Sequence, residues 1–299
     1  MSDAAPAPEP AAPALAPTQA APETRREALG VAEILTSVLA IFFKRLPKIL
    51  LLALPSGLAM AGLFYLGFAV LESVWGRWSY DILIPFVLVA ITFGTGLGLA
   101  SGPLTEGLRI YERNGELPFW ICLGRIWRQL VPSIVCGIVT ALFTLVPLWL
   151  ISLASSGRVG LFIAVVAIAL GMYGCALWGL SVSSSSQERI GVAALRRGQR
   201  LSQGYRWQVA GTCFLIFFTA ILISGLVGAG LALIARLLIS EITFFGEFVS
   251  LWEALAFIDL CLAAMILIAL IALGLAAIRT RLIEIKEPPD IEDMVAVFD

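Results

Sequence analysis

The side chains that most often carry chemistry are sparse in this 299-residue sequence, and histidine is absent altogether. Without imidazole there is no Ser-His-Asp or Cys-His catalysis and no histidine haem ligation, and most zinc sites are ruled out. The five cysteines (Cys122, Cys136, Cys175, Cys213 and Cys261) are scattered through apolar stretches with no C-x-x-C spacing. They read as small core hydrophobes rather than disulfide or metal partners. An enzyme built on this chain would have to use carboxylates, lysine or an unassisted nucleophile, and no acid–base pair assembles at one depth. No catalytic residue, cofactor, metal or nucleic-acid partner is expected.

Glu72, Asp81, Arg236, Glu241, Glu247, Glu253 and Asp259 form one polar constellation. Ionisable groups within apolar runs are functional candidates by default. Arg236 and Asp259 could therefore make a proton or cation site at the mouth of the last run. Asp259 precedes Arg279 by 20 residues, about 30 Å of helix. That separation places it near the opposite membrane interface, and favours a solvated rim in which Arg236 pairs with Asp259 or Glu241.

Other polar runs have plain readings. FGTGLGLASG at 93–102 superficially suggests a phosphate loop, but no Lys-Ser/Thr pair or strand accompanies it. Gly94, Gly98 and Gly102 instead recur at helical spacing and predict a close-packing face. A second such face is formed by Ser224 and Gly228 or by Gly225 and Ala229. SVSSSSQE at 181–188 predicts the end of a span, with serines capping backbone groups. FFGEFVSLWEALAF at 244–257 reads as an aromatic interfacial anchor.

These groups must be positioned by apolar chain. Hydrophobic residues make up 60% of the sequence and charged residues only 14%, against about 25% charged in an ordinary soluble domain. Six apolar runs, near 47–71, 82–102, 131–154, 159–181, 208–234 and 256–278, are long enough to cross a ~30 Å hydrocarbon core. The predicted class is an all-α, six-span membrane protein. Of the 20 Lys and Arg residues, all but Arg77, Arg158 and Arg236 fall on one side of these spans. The positive-inside rule then puts both termini in the cytoplasm. Residues 1–27, rich in Ala and Pro, lack the basic start and apolar core of a signal peptide and read as a disordered tail. Residues 281–299 read as a second, short tail.

The basic segments between runs share a design. In QERIGVAALRRGQRLSQGYRW at 187–207, Arg189, Arg196, Arg197 and Arg200 fall on one helical arc, with Ile190, Ala194, Leu195 and Leu201 on most of the other. The pattern predicts a helix lying in the membrane plane, with its apolar face in the acyl boundary. Gly204 lets the chain turn, and Arg206 and Trp207 open the next span. Residues 33–46 repeat the device, followed by Pro47. Residues 119–130 repeat it with Arg125 and Arg128 opposite Trp120, Leu123, Ile126 and Trp127, followed by Pro132. Three units of in-plane helix plus helical hairpin result.

The stretch ALRRGQRLSQGYRWQVAG resembles the Ala-Leu-x-Arg-Ser-x-x-Leu-x-x-Gly-x-x-Trp elbow of the glycerophosphodiester phosphodiesterase membrane-domain family and its six-span bacterial relatives. The matching residues are Ala194, Leu195, Arg197, Leu201, Gly204 and Trp207, with Gly198 standing where that family usually has serine. NGELPFW at 114–120 resembles the family's Gly-x-x-Pro approach to its second in-plane helix. The resemblance implies a six-span fold in a bacterial inner membrane. It implies no reaction, because the family's catalytic part, where present, is a separate soluble barrel.

The functional expectation is a non-enzymatic scaffold or accessory subunit. It would associate with anionic membrane lipid through Arg125, Arg128, Arg189, Arg196, Arg197, Arg200 and Arg206, or with a membrane protein complex. The rival expectation is a transporter or channel for a lipid or small hydrophobic solute. That would need a broken path at mid-bilayer, for which Pro85, Pro147 and the glycines at 225–230 are the only hints.

Overall fold

The structure is a computed structural model, and it describes residues 29–75, 83–115, 117–153, 158–188, 190–242 and 248–287. The 1–27 tail and most of the C-terminal tail lie outside the described residues, as do Arg77, Asp81 and Arg189. Glu72, Arg125, Arg128, Glu241 and Glu253 lie in described helices, but their side chains do not belong to the described set. Among the described residues there are helices and no strand: α1 (Val31–Lys44), α2 (Leu46–Trp75), α3 (Leu83–Asn114), α4 (Phe119–Leu153), α5 (Arg158–Glu188), α6 (Ala194–Ser202), α7 (Arg206–Ile242) and α8 (Phe248–Lys286). A 3-10 turn, Gly191–Ala193, precedes α6.

Five of these helices are long and apolar enough to cross a membrane, as in a multi-pass membrane protein. α4 carries a shorter apolar stretch, Leu130–Leu145. α8 is the axis of the bundle. It packs on α1, α2, α3, α5, α6 and α7, and 78% of its most apolar window is buried. The cause is in its sequence: no charge interrupts 260–278, so every face can be buried. α7 is comparably apolar, yet only 17% of its window is buried. Phe214, Phe218, Leu222, Leu226 and Leu233 face outward, a surface suited to lipid and not to water.

The helices overrun their apolar stretches. α3 continues to Asn114, α5 to Glu188, and α7 and α8 nearly meet. The long connector expected at 235–255 is therefore mostly helix, and Arg236 sits on the exposed surface of α7. The chain is also unbroken at Pro85, Pro147 and 225–230.

Two of the three expected breaks after basic segments are present. α1 ends at Arg45, and the third break is made by Gly204 at φ +88, a backbone state that costs glycine little. The second is absent, because 119–153 form one continuous helix. No glycine with positive φ interrupts it, and Pro132 removes only one backbone bond, which a packed intramembrane helix tolerates.

α1 and α6 do not turn their small apolar faces to the surroundings. Ile34, Val38 and Phe42 of α1 are buried, and α1 contacts α7 and α8. α6 buries Ala194, Gly198 and Leu201 and packs mainly on α5. A Cβ on Gly198 would lie 2.9 Å from the Ser181 backbone nitrogen. The absence of a side chain at Gly198 therefore lets α6 seat directly on α5. The expected apolar face is real, but the protein's own bundle covers it.

Candidate functional site

The polar side chains gather at the Arg-rich end of the bundle. The first layer is the serine run, which forms the end of α5 as expected: the apolar span closes at Ser186 and the helix at Glu188. Ser181, Ser183, Ser184 and Ser185 are buried. Most of these hydroxyls donate to the carbonyl one turn back, as Ser183 does to Leu180 at 3.0 Å and Ser185 to Val182 at 2.8 Å. Such back-bonding satisfies a hydroxyl inside a helix and keeps the surface as small as alanine's. Neighbouring helices can then approach closely. Ser185 lies 3.2 Å from Ser133 of α4, and Ser186 lies 3.0 Å from Thr105 of α3.

The second layer is a chain of four alternating charges. Arg279 of α8, 5% exposed, donates through Nη2 to Glu188 Oε1 at 2.6 Å and through Nε to Ser184 Oγ at 3.2 Å. Glu188, the last residue of α5, also accepts from Arg197 Nε of α6 at 3.1 Å. Arg197 Nη2 reaches Glu287, just past α8, at 2.6 Å. The four formal charges cancel, which matters most at the buried Arg279; Arg197 and Glu287 are 30% and 45% exposed. The Glu287 hydrogen bond, reinforced by the Glu188 carboxylate, raises Arg197 above its ordinary value against the opposing effect of burial. The same bond holds Glu287 below the usual carboxylate range. No buried charge network was expected from the sequence, and this one ties α5, α6 and α8 together.

Lys286 completes the clasp. Its ammonium donates to the carbonyls of Arg200 at 3.0 Å and Gln203 at 2.6 Å. A cation at this end of α6 satisfies terminal carbonyls and complements the helix dipole. Arg206 Nη1 donates to the Tyr173 hydroxyl at 3.0 Å. At the first elbow, Arg45 Nη2 donates to the Gly115 carbonyl at 3.0 Å, and its guanidinium lies 5.8 Å from the Tyr111 ring centre.

The arginines of α6 thus divide by direction. Arg197 is locked inward, whereas Arg196 and Arg200 are exposed. Lys44, Lys48, Arg109 and Arg113 are exposed as well, along with the apolar side chains Phe43, Trp120, Ile121, Val192 and Trp207. Cations interleaved with aromatic and aliphatic groups suit a headgroup boundary.

The glycine faces are partly as expected. A Cβ on Gly94 or Gly98 would lie 2.5 or 2.6 Å from the Cα of Ile138 or Ile134 on α4. The contact has a partner not foreseen from the sequence, Gly137, whose added Cβ would strike the Gly94 carbonyl. Gly102 and Gly225 face open space, and Gly228 lies beside the Asp259 carboxylate. Gly102 and Gly225 are therefore not packing contacts within the described chain: their turns of helix face no neighbouring backbone.

Arg236 and Asp259 are not brought together as an ion pair among the described residues. Asp259 Oδ1 is buried without a hydrogen-bond partner. It borders a surface cavity of about 170 Å3 whose other walls, such as Leu231, Ala235 and Ile258, are apolar. Among the described residues no cluster of three or more carboxylates and thiols could hold a metal ion. Comparison with protein families, with curated proteins and with solved structures finds no match to this chain.

Proposed function

We propose that this chain is a non-enzymatic integral membrane scaffold or accessory subunit that gathers anionic lipid headgroups at its Arg-rich end. The observation that carries the reading is the division of α6. Its inward arginine is spent on Glu188 and Glu287, so the helix is held against α5 and α8. Arg196 and Arg200 remain exposed beside Val192 and Trp207. Each Lys or Arg held at an anionic leaflet contributes roughly 1 kcal/mol of attraction. A rigidly docked helix presents such charges with little ordering cost.

The wider setting belongs to the same proposal. With α4 counted, six helices cross the membrane in three units, and the Arg-rich end and both termini face the cytoplasm of a bacterium. The elbow's likeness to the glycerophosphodiester phosphodiesterase membrane-domain family supports that arrangement. Among the described residues the cavity between α3, α4, α5, α7 and α8 measures only about 30 Å3, about the space of one or two waters, and the larger one beside Asp259 lies at the surface, which favours a scaffold over a transporter.

The test is purification in native-lipid nanodiscs, followed by mass spectrometry of retained lipids and co-purifying proteins. Enrichment of anionic over zwitterionic lipid supports the lipid arm, and a stoichiometric membrane protein supports the subunit arm. The absence of both anionic-lipid enrichment and a partner would overturn the proposal.

A further inference from the structure

The small interior cavity contains a chemical group that the scaffold reading does not use. Half of its lining residues are leucine, isoleucine or phenylalanine, and Met172, Cys175 and Cys213 also line it. Met172 and Cys175 lie three residues apart on α5, hence on one face of that helix. Cys213 comes from α7 and lines the same cavity as Cys175. Cys213 is buried and Cys175 is partly exposed. Two thiol-bearing residues and a methionine, drawn from two helices, therefore line one space about large enough for a single atom-sized guest.

We infer that Met172, Cys175 and Cys213 form a binding site for a soft monovalent cation of the Cu(I) or Ag(I) class. Ligand softness selects the ion: thiolate and thioether sulfur favour Cu(I), and the cavity offers neither imidazole nor carboxylate for a harder or borderline metal. Thr140 and Thr144 are its only hydroxyl-bearing walls. Charge is compatible with that ion. In an apolar interior the bound state is cheapest when it is neutral. One thiol loses its proton to solvent as its sulfur bonds the cation, so thiolate and monovalent ion cancel, while the second thiol and the thioether donate as neutral ligands. The metal's oxidation state does not change. Zinc would need both thiols deprotonated to be neutral, and would still lack the remaining ligands of its tetrahedron. The other cysteines are placed differently; Cys136, for example, faces Ser181 and Ser185.

The test uses the full chain in lipid nanodiscs, reduced, in a C122A/C136A/C261A background. Cu(I) is titrated against a colorimetric Cu(I) chelator, with Ag(I) as a second probe. The expected result is one ion per chain, with only sulfur neighbours by X-ray absorption. C175S and C213S should each abolish that equivalent, and M172L should weaken it. Because serine can unfold a tight core, C175A and C213A are measured alongside, and only variants that melt like the background are compared. Failure of the folded background to take Cu(I) from the chelator would overturn the inference. Undiminished uptake in folded C175A and C213A would overturn it equally.

Discussion

Arg279, within the buried end of α8, donates to Glu188 at 2.6 Å, so the last charge of α5 meets the first charge after the apolar core of α8. The two residues are 91 positions apart. Their side chains are only 6% and 24% exposed, which puts the pair in the regime where losing one partner matters far more than the pair's net worth. Glu188→Gln is expected to destabilise the protein by about 3–5 kcal/mol, because it removes the carboxylate that Arg279 faces in a buried setting. The double variant Glu188→Leu/Arg279→Met should lose less than the sum of its singles in a thermal-unfolding cycle. Additive losses would show that the pair is not coupled.

The α3–α4 contact makes a second, sharper distinction among glycines. Gly137→Val inserts bulk against the Gly94 backbone, and overpacking of this kind costs about 1–3 kcal/mol or more. Gly102→Ala and Gly225→Ala meet open space and should be neutral, or stabilising by up to about 1 kcal/mol, since alanine is the better helix former. Melting temperatures in detergent check both directions.

The clasp between α6 and the end of α8 carries a pH dependence. Glu287 is held below the ordinary carboxylate range by Arg197, so its contribution to stability is present above about pH 4.3 and is lost as pH falls through its lower folded value. Arg197 is shifted up and stays charged throughout. The difference in melting temperature between the native chain and Glu287→Gln is therefore expected at pH 7 and should shrink towards pH 3.5. Glu287 is about half exposed, so the effect is modest. A constant difference across that range would contradict the assignment.

The apolar runs were legible in the sequence because membrane-length hydrophobicity is a strong one-dimensional signal. Their environments were not. α7 and α8 are similarly apolar, yet one faces outward and the other forms the axis, since burial depends on which helices pack beside them. The positions of Gly94 and Gly98 followed from spacing, whereas their partner Gly137 is a lone glycine with no motif. The basic arc of α6 was visible, but the pull of Glu188 and Glu287 on Arg197 was not, because a helical projection cannot show what the opposite helix offers. The serines at 181–186 looked like a helix end by polarity. In the structure they do lie at the end of α5, but Ser181, Ser183, Ser184 and Ser185 are buried there, because hydroxyls bonded to their own helix behave as small packing residues.

The central claim is that α6 holds itself in place with Arg197 and offers Arg196 and Arg200 outward. The measurement that tests it most directly compares Arg196→Gln/Arg200→Gln with Arg197→Gln in nanodiscs of mixed anionic and zwitterionic lipid. Retained lipid and melting temperature are read on the same samples. The outward pair should lose anionic-lipid enrichment, more so at low salt, with melting unchanged. Arg197→Gln should lower the melting temperature. Unchanged enrichment in a folded Arg196→Gln/Arg200→Gln protein would contradict the account.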